Sequence, residues 1–251
     1  MKVAILGGTK GMGRAVSRRL AERGDRICLL GRNEADLQKS VADLCVRSGH
    51  GAPATPAVHV YAHCDLEDPA TFEPALEEAR SRLEGLDAVI VTAARYATQE
   101  QLEADPALAH RLLVVNFANT IAFCEAAKRQ LLRSGGGTLC VFSSVAGERG
   151  RKPVILYGAT KAGLSRYLEG LDHKYRGRGL KVVTIKPGFV KTGMTEGLQP
   201  PPFAGEPDQV ARIVVRAIDS GRPVAYAPRI WALVMLVIRW LPRFVMRRIN
   251  F

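Results

Sequence analysis

Short apolar runs alternate with amphipathic stretches along most of the chain. Residues 2–6, 26–30, 57–63, 87–92, 138–142 and 181–186 are rich in Val, Ile, Leu and Ala, and turn residues follow most of them. Continuous apolar runs of that length suit strands buried on both faces. Between them, residues 14–23, 34–47, 71–83 and 106–133 place apolar side chains at helical spacing, and residues 153–156 lead into a further helix. Residues 48–56 form a Gly/Pro-containing loop, and Gly135 to Gly137 break the chain again. Such alternation predicts an α/β fold with one parallel, doubly wound sheet. Ligands of such a sheet sit beyond the carboxyl ends of its strands. Gly7, Asp65, Ala93, Ser144 and Pro187 each follow a strand, so they are expected along one edge.

Composition narrows the class. With 251 residues, 47% hydrophobic and 24% charged, the chain is long enough for one full core. We expect a dinucleotide-binding and catalytic domain over 1–228 and a separate tail over 229–251. The five cysteines lack CxxC spacing and the five histidines lack metal spacing, so reduced thiols, a cytoplasmic setting and no metal site are expected. The apolar run before Gly7 is too short for a signal peptide. A net charge of +12 points to an anionic partner. The basic residues are spread along helices rather than interleaved with aromatics, which argues against nucleic acid.

The chemistry concentrates in five places. Gly7, Thr9, Lys10, Gly11, Met12 and Gly13 form a glycine-rich turn between the first strand and the first helix. Glycines there let backbone approach a pyrophosphate at a helix N-terminus. After the second strand, Gly31, Arg32 and Asn33 stand where a NAD-binding fold would carry an acid. Arg32 and Lys10 suit a 2′-phosphate, so NADP(H) is favoured and NAD(H) stays open. Asp65 and Leu66 follow the third strand, and Asp65 either faces the cofactor or caps the helix from Pro69. Tyr157 and Lys161 lie at i, i+4, with Ser144 thirteen positions before the tyrosine. A fixed ammonium is expected to lower the phenol pKa so that Tyr157 exchanges a proton near neutrality, while Ser144 holds the same substrate oxygen. Asn116, mid-helix in VVNFAN, needs a polar partner: a held water or a kink.

The last stretch, 229–251, differs from the rest. It carries five arginines and no acid, with Trp231 and Trp240, and its apolar run 230–238 is shorter than the ~20 residues that span a bilayer. Two readings stand level: a segment lying in a membrane interface, or an apolar face docked on the enzyme's own core or a second subunit.

Taken together these motifs resemble the short-chain dehydrogenase/reductase family over nearly the whole chain. The family's T-G-x-x-x-G-x-G runs from Leu6 to Gly13, with Leu6 replacing the usual Thr. Its N-N-A-G stands as Val91-Thr92-Ala93-Ala94, a departure that leaves open how the fourth strand is braced. Asn116, Ser144, Tyr157 and Lys161 match its tetrad, and Pro187, Gly188 and Thr192 its P-G-x-x-x-T. The resemblance implies a Rossmann-type fold and hydride transfer between nicotinamide and a carbonyl carbon. Tyr157 would be the acid, and Lys161 would bind the ribose and lower the tyrosine pKa. Asn116 would support a water relay, and Val190 and Thr192 would orient the carboxamide. It also implies a homodimer or homotetramer. Within the family, SSVAGERGRK, IKPGFVKTGMT and the basic tail are most similar to decaprenylphosphoryl-2-keto-ribose reductases and related lipid-linked ketoreductases. The expectation is therefore a ketone on a lipophilic molecule, reached at a membrane face, with residues 193–207 as its lid. The alternatives are a soluble 3-oxoacyl-carrier-protein reductase and a catalytically idle nucleotide-binding scaffold or redox sensor.

Overall fold

The computed structural model describes residues 1–49, 58–197 and 199–249. Seven parallel strands form one sheet in the order β3-β2-β1-β4-β5-β6-β7. They are β1 (Lys2–Leu6), β2 (Arg26–Gly31), β3 (His59–His63), β4 (Ala88–Val91), β5 (Gly137–Phe142), β6 (Leu180–Pro187) and β7 (Val224–Ala227). Of the expected third-strand run, Ala57 lies outside the described residues. The order reverses between β1 and β4, which opens a crevice at their carboxyl ends.

Helices cover both faces. On one side lie α1 (Gly11–Glu22), α2 (Glu34–Arg47) and a helix absent from the sequence reading, Pro207–Ser220. On the other lie α3 (Phe72–Leu83) and a long helical run from Pro106 to Tyr175 interrupted by β5. That run contains α5 (Pro106–Leu113), α6 (Thr120–Arg133) and α7 (Ile155–Tyr175), preceded by the short α4 (Gln99–Ala104). The Pro207–Ser220 helix is α8, and its Val210, Val214 and Ile218 repeat at helical spacing into the core. The helical run 106–133 is apolar and long enough to cross a bilayer. Here Phe123, Cys124, Ala127 and Leu131 are instead buried against the sheet.

Between α5 and α6 the helix is not regular. Val114–Asn119 widens into a π-turn, which adds one residue and re-aims the side chains around it. The tail folds into α9 (Ile230–Trp240) and α10 (Arg243–Arg248). Trp231, Met235 and Ile238, at i, i+4 and i+7, pack on Val145, Phe189 and Tyr226. The docked alternative therefore describes the inner face of α9.

Candidate active site

The dinucleotide end is built from backbone. Gly7 turns the chain out of β1 with φ +88°, and a Cβ there would lie 2.6 Å from the Ala93 nitrogen. A Cβ on Gly13 would lie 2.1 Å from the Gly7 carbonyl oxygen. No other residue lets these segments touch. Ser17 Oγ locks the turn by donating to the Gly13 and Gly8 carbonyls at 3.0 and 3.3 Å. α1 then starts without an acid in its first turn and without a side-chain cap from Lys10. Its N-terminal N–H groups and dipole thus favour an anion.

Thr92 answers the departure from N-N-A-G. Its hydroxyl reaches the Gly7 and Leu6 carbonyls at 2.9 and 3.2 Å. β4 is therefore braced to the glycine turn by a side chain shorter than the usual asparagine.

A cleft of about 500 Å³ runs along the ends of β1, β2, β3 and β4. Of the residues expected to meet the cofactor, it brings together Gly7, Thr9, Lys10, Arg32, Asn33, Asp65, Leu66 and Ala93. Lys10 pairs with Asp36 at 2.9 Å, and Arg32 with Glu67 at 3.3 Å. Arg95 shares the same Glu67. Asn33 caps α2 by accepting from the Asp36 N–H at 2.9 Å. Asp65 accepts from the Glu67 N–H at 3.0 Å, and the cap of the turn from Pro69 is Asp68. Gly11 sits against Thr192, where a Cβ would meet the threonine methyl at 3.4 Å. Met12 and Val190 instead face the core. Pro187 ends β6, and Gly188 follows it beneath Trp231. Asp36 in the first turn of α2, and Glu67 and Arg95 in loops, were missed because a lone charge gives no local signal of what it faces.

The second half of the site lies at the ends of β5 and β6. Ser144 leaves β5 in extended backbone, accepts from the Ala146 N–H at 3.1 Å and approaches the Pro187 carbonyl at 3.5 Å. Its hydroxyl lies near enough to the Tyr157 phenol to pull that group's pKa down. Tyr157 occupies the first turn of α7, and Lys161 follows one turn later. Lys161 is buried, 2% exposed, with Nζ 5.7 Å from the Tyr157 ring centre and donating to the Phe142 carbonyl at 3.0 Å. The edge of Tyr96 meets the Tyr157 ring at 5.4 Å between centres, a contact across a sequence gap that no motif marks.

The electrostatics differ from the sequence expectation. Burial pushes the Tyr157 phenol up to about 12, although the residue as a whole is only half-buried. The Ser144 hydrogen bond pulls it back down, and nearby Tyr96 raises it further. Burial likewise pulls the Lys161 ammonium down to about 8. Desolvation outweighs charge–charge attraction because the two groups are enclosed together and the ammonium is turned to a carbonyl. Near neutral pH the phenol keeps its proton, which suits a proton donor.

Asn116 is 1% exposed and lies in the π-turn. Its Oδ1 accepts from the Arg95 N–H and its Nδ2 donates to the Arg95 carbonyl, both at 2.7 Å. Both ends of the amide are spent on the backbone of one residue. Its side chain therefore holds the loop after β4, which carries Tyr96 towards Tyr157.

The chain is similar to known proteins over most of its length. The short chain dehydrogenase family pattern matches residues 1–202. An uncharacterized oxidoreductase of Mycobacterium tuberculosis is 32% identical over 98% of this chain and 96% of its own length. Carbonyl reductase family member 4 of Xenopus tropicalis is 28% identical over 86% and 90%. Among solved structures, an actinorhodin polyketide ketoreductase with NADPH superposes with a TM-score of 0.77, at 20% identity, over 90% of this chain and 94% of that one. The glycine cradle, the uncapped helix end and the crevice at the strand reversal fit a dinucleotide, and the matched pattern spans all three. The chain belongs to the short-chain dehydrogenase/reductase family and is an NAD(P)-dependent oxidoreductase.

Proposed function

We propose that the protein reduces a ketone on a lipophilic molecule, with NADPH as the preferred reductant. The observation that carries this is the meeting of Ser144, Tyr157 and Lys161 at the carboxyl ends of β5 and β6, beside the dinucleotide cleft. The nicotinamide supplies the hydride. Ser144 Oγ and the Tyr157 hydroxyl, which neighbour each other, take the carbonyl oxygen between them. Tyr157 gives that oxygen its proton as the carbon is reduced. A phenol held protonated by burial favours this direction. Lys161, anchored on the Phe142 carbonyl, presents positive charge to the ribose and steadies the phenolate that remains. Asn116 acts as a positioning residue through Arg95.

The preference for NADPH rests on the end of β2. Gly31 leaves no carboxylate at the ribose position, while Lys10 and Arg32 line the cleft there. A second ketoreductase reading, a soluble reductase of carrier-bound 3-oxoacyl groups, shares the site and differs in its partner. The lipophilic reading draws on the apolar surface around residues 193–207 and the tail. It keeps the lipid-linked keto-sugar as one candidate substrate among long-chain ketones. NADPH and NADH oxidation measured on a panel of ketones tests the whole reading. Turnover with NADPH on long-chain ketones is expected, and Tyr157→Phe should lower kcat by at least about a hundredfold with cofactor affinity kept. Full activity of Tyr157→Phe refutes the assigned acid.

A further inference from the structure

α9 is apolar on both sides. Its inner face is covered by the chain, through Trp231, Met235 and Ile238. Its outer face is not: Leu233, Leu236, Val237 and Trp240 are 61%, 48%, 58% and 81% exposed, at i, i+3, i+4 and i+7. A helix apolar all round is normally enclosed all round. Phe244 on α10 continues the face at 60% exposure. Among the described residues, six of the fourteen exposed large hydrophobic side chains, Ile230 to Phe244, fall within this one short segment. Such concentration marks a contact surface rather than ordinary scattered exposure.

Charge selects the occupant. Arg239 is engaged by Glu148 at 3.4 Å, but Arg243, Arg247 and Arg248 are exposed, and no ion pair holds them among the described residues. No acid occurs from 229 to 251. A second copy seated on this face by a two-fold axis would set these arginines against themselves with nothing to neutralise them. An anionic bilayer supplies both needs: hydrocarbon for Leu236, Val237 and Trp240, and phosphate for the arginines.

The same helix touches the substrate loop. Trp231 Nε1 donates to the Phe203 carbonyl at 3.3 Å. Phe203 adopts φ +68°, a conformation unfavourable for a side-chain-bearing residue, and its ring is 59% exposed beside the tail. The base of that loop is tied to the strand end that bears the site: Gly205 donates to the Phe189 carbonyl at 2.8 Å, and Lys191 to the Gly205 carbonyl at 3.0 Å.

We propose that the outer face of α9, with α10 and Phe203, docks the enzyme on an anionic bilayer and so presents residues 199–207 to the lipid phase, from which the ketone is drawn. The origin of the ketone rests on the ketoreductase reading; the docking does not.

The test is co-sedimentation of the full chain with two kinds of vesicle, phosphatidylcholine alone and equal parts phosphatidylcholine and phosphatidylglycerol. Binding is expected to the mixed vesicles only, and to weaken with salt. The triple variant Arg243→Gln/Arg247→Gln/Arg248→Gln should lose roughly a hundredfold in partition, at a few-fold per arginine. Val237→Ser/Trp240→Ser should lose about tenfold or more, because the apolar face contributes independently. Dinucleotide affinity reports the fold of each variant. Failure to bind mixed vesicles, equal binding to both compositions, or unchanged partition of both variants overturns the proposal. So does a dimer in sedimentation velocity that Trp240→Ser dissociates, which assigns the face to a second copy. Docking lost with NADPH oxidation retained sinks the surface alone; vesicle binding without turnover on any ketone sinks the ketoreductase reading alone.

Discussion

Replacing Lys161 by methionine should make the protein more stable and inactive. Burial moves its ammonium from an ordinary 10.5 to about 8, a bias towards the neutral amine of about 3 kcal/mol at ~1.4 kcal/mol per unit. At pH 7 the folded chain carries the charged form against that bias. Methionine removes the charge in a similar volume and gives up the bond to the Phe142 carbonyl, which costs about 1–2 kcal/mol. The balance is a gain of about 1–2 kcal/mol, or a rise in Tm of roughly 2–8 °C for a chain of this size. The pH dependence carries the sign. Between about 8 and 10.5 the unfolded chain binds the proton more tightly than the folded one. The wild type therefore gains stability as pH rises through that window, and its contribution is lost as pH falls through 8. The variant has no such group, so its advantage should shrink from pH 7 to 9.5. Tyr157 opposes this only above about 10, where its raised pKa makes the folded state lose stability as pH rises, and it does so in both proteins. Thermal melts of the two proteins across pH 7–9.5 decide the matter. A Tm for Lys161→Met below wild type at pH 7, or a difference that does not change with pH, refutes the reasoning. Turnover should be lost in either case.

Glu148→Gln should lower stability by about 2–3 kcal/mol and Tm by roughly 5–10 °C, because it leaves Lys186, 14% exposed, without the carboxylate that faces it. Adding Lys186→Met should recover part of that loss in the same melt, and no recovery refutes the pairing. Gly13→Ala should weaken dinucleotide binding by more than about tenfold in a fluorescence titration, since its Cβ would lie 2.1 Å from the Gly7 oxygen. Unchanged affinity would mean that the cofactor does not use this turn.

The α/β alternation was legible because burial on both sheet faces forces continuous apolar runs such as Ala88–Val91. The glycine turn and the Tyr157–Lys161 spacing were legible because each is local, set by one turn of backbone or one turn of helix. α8 and the four-residue β7 were not among the elements expected from the sequence, although α8 is strongly amphipathic. The Tyr157 environment was misjudged for a different reason. Sequence spacing shows which charges are near, while desolvation depends on what encloses them, including Tyr96 from a distant loop. The brace on β4 was equally out of reach: a threonine in place of asparagine reads as loss until its hydroxyl is seen on the Gly7 carbonyl.

The widened turn at Val114–Asn119 sets local stability against function. One residue fewer there would let α5 and α6 run on as a single regular helix, with better backbone hydrogen bonding. It would also rotate everything upstream by about 100° relative to α6, swinging Asn116 off the Arg95 peptide. The irregular turn thus gives up ladder bonds within one helix so that the Tyr96 loop keeps its anchor.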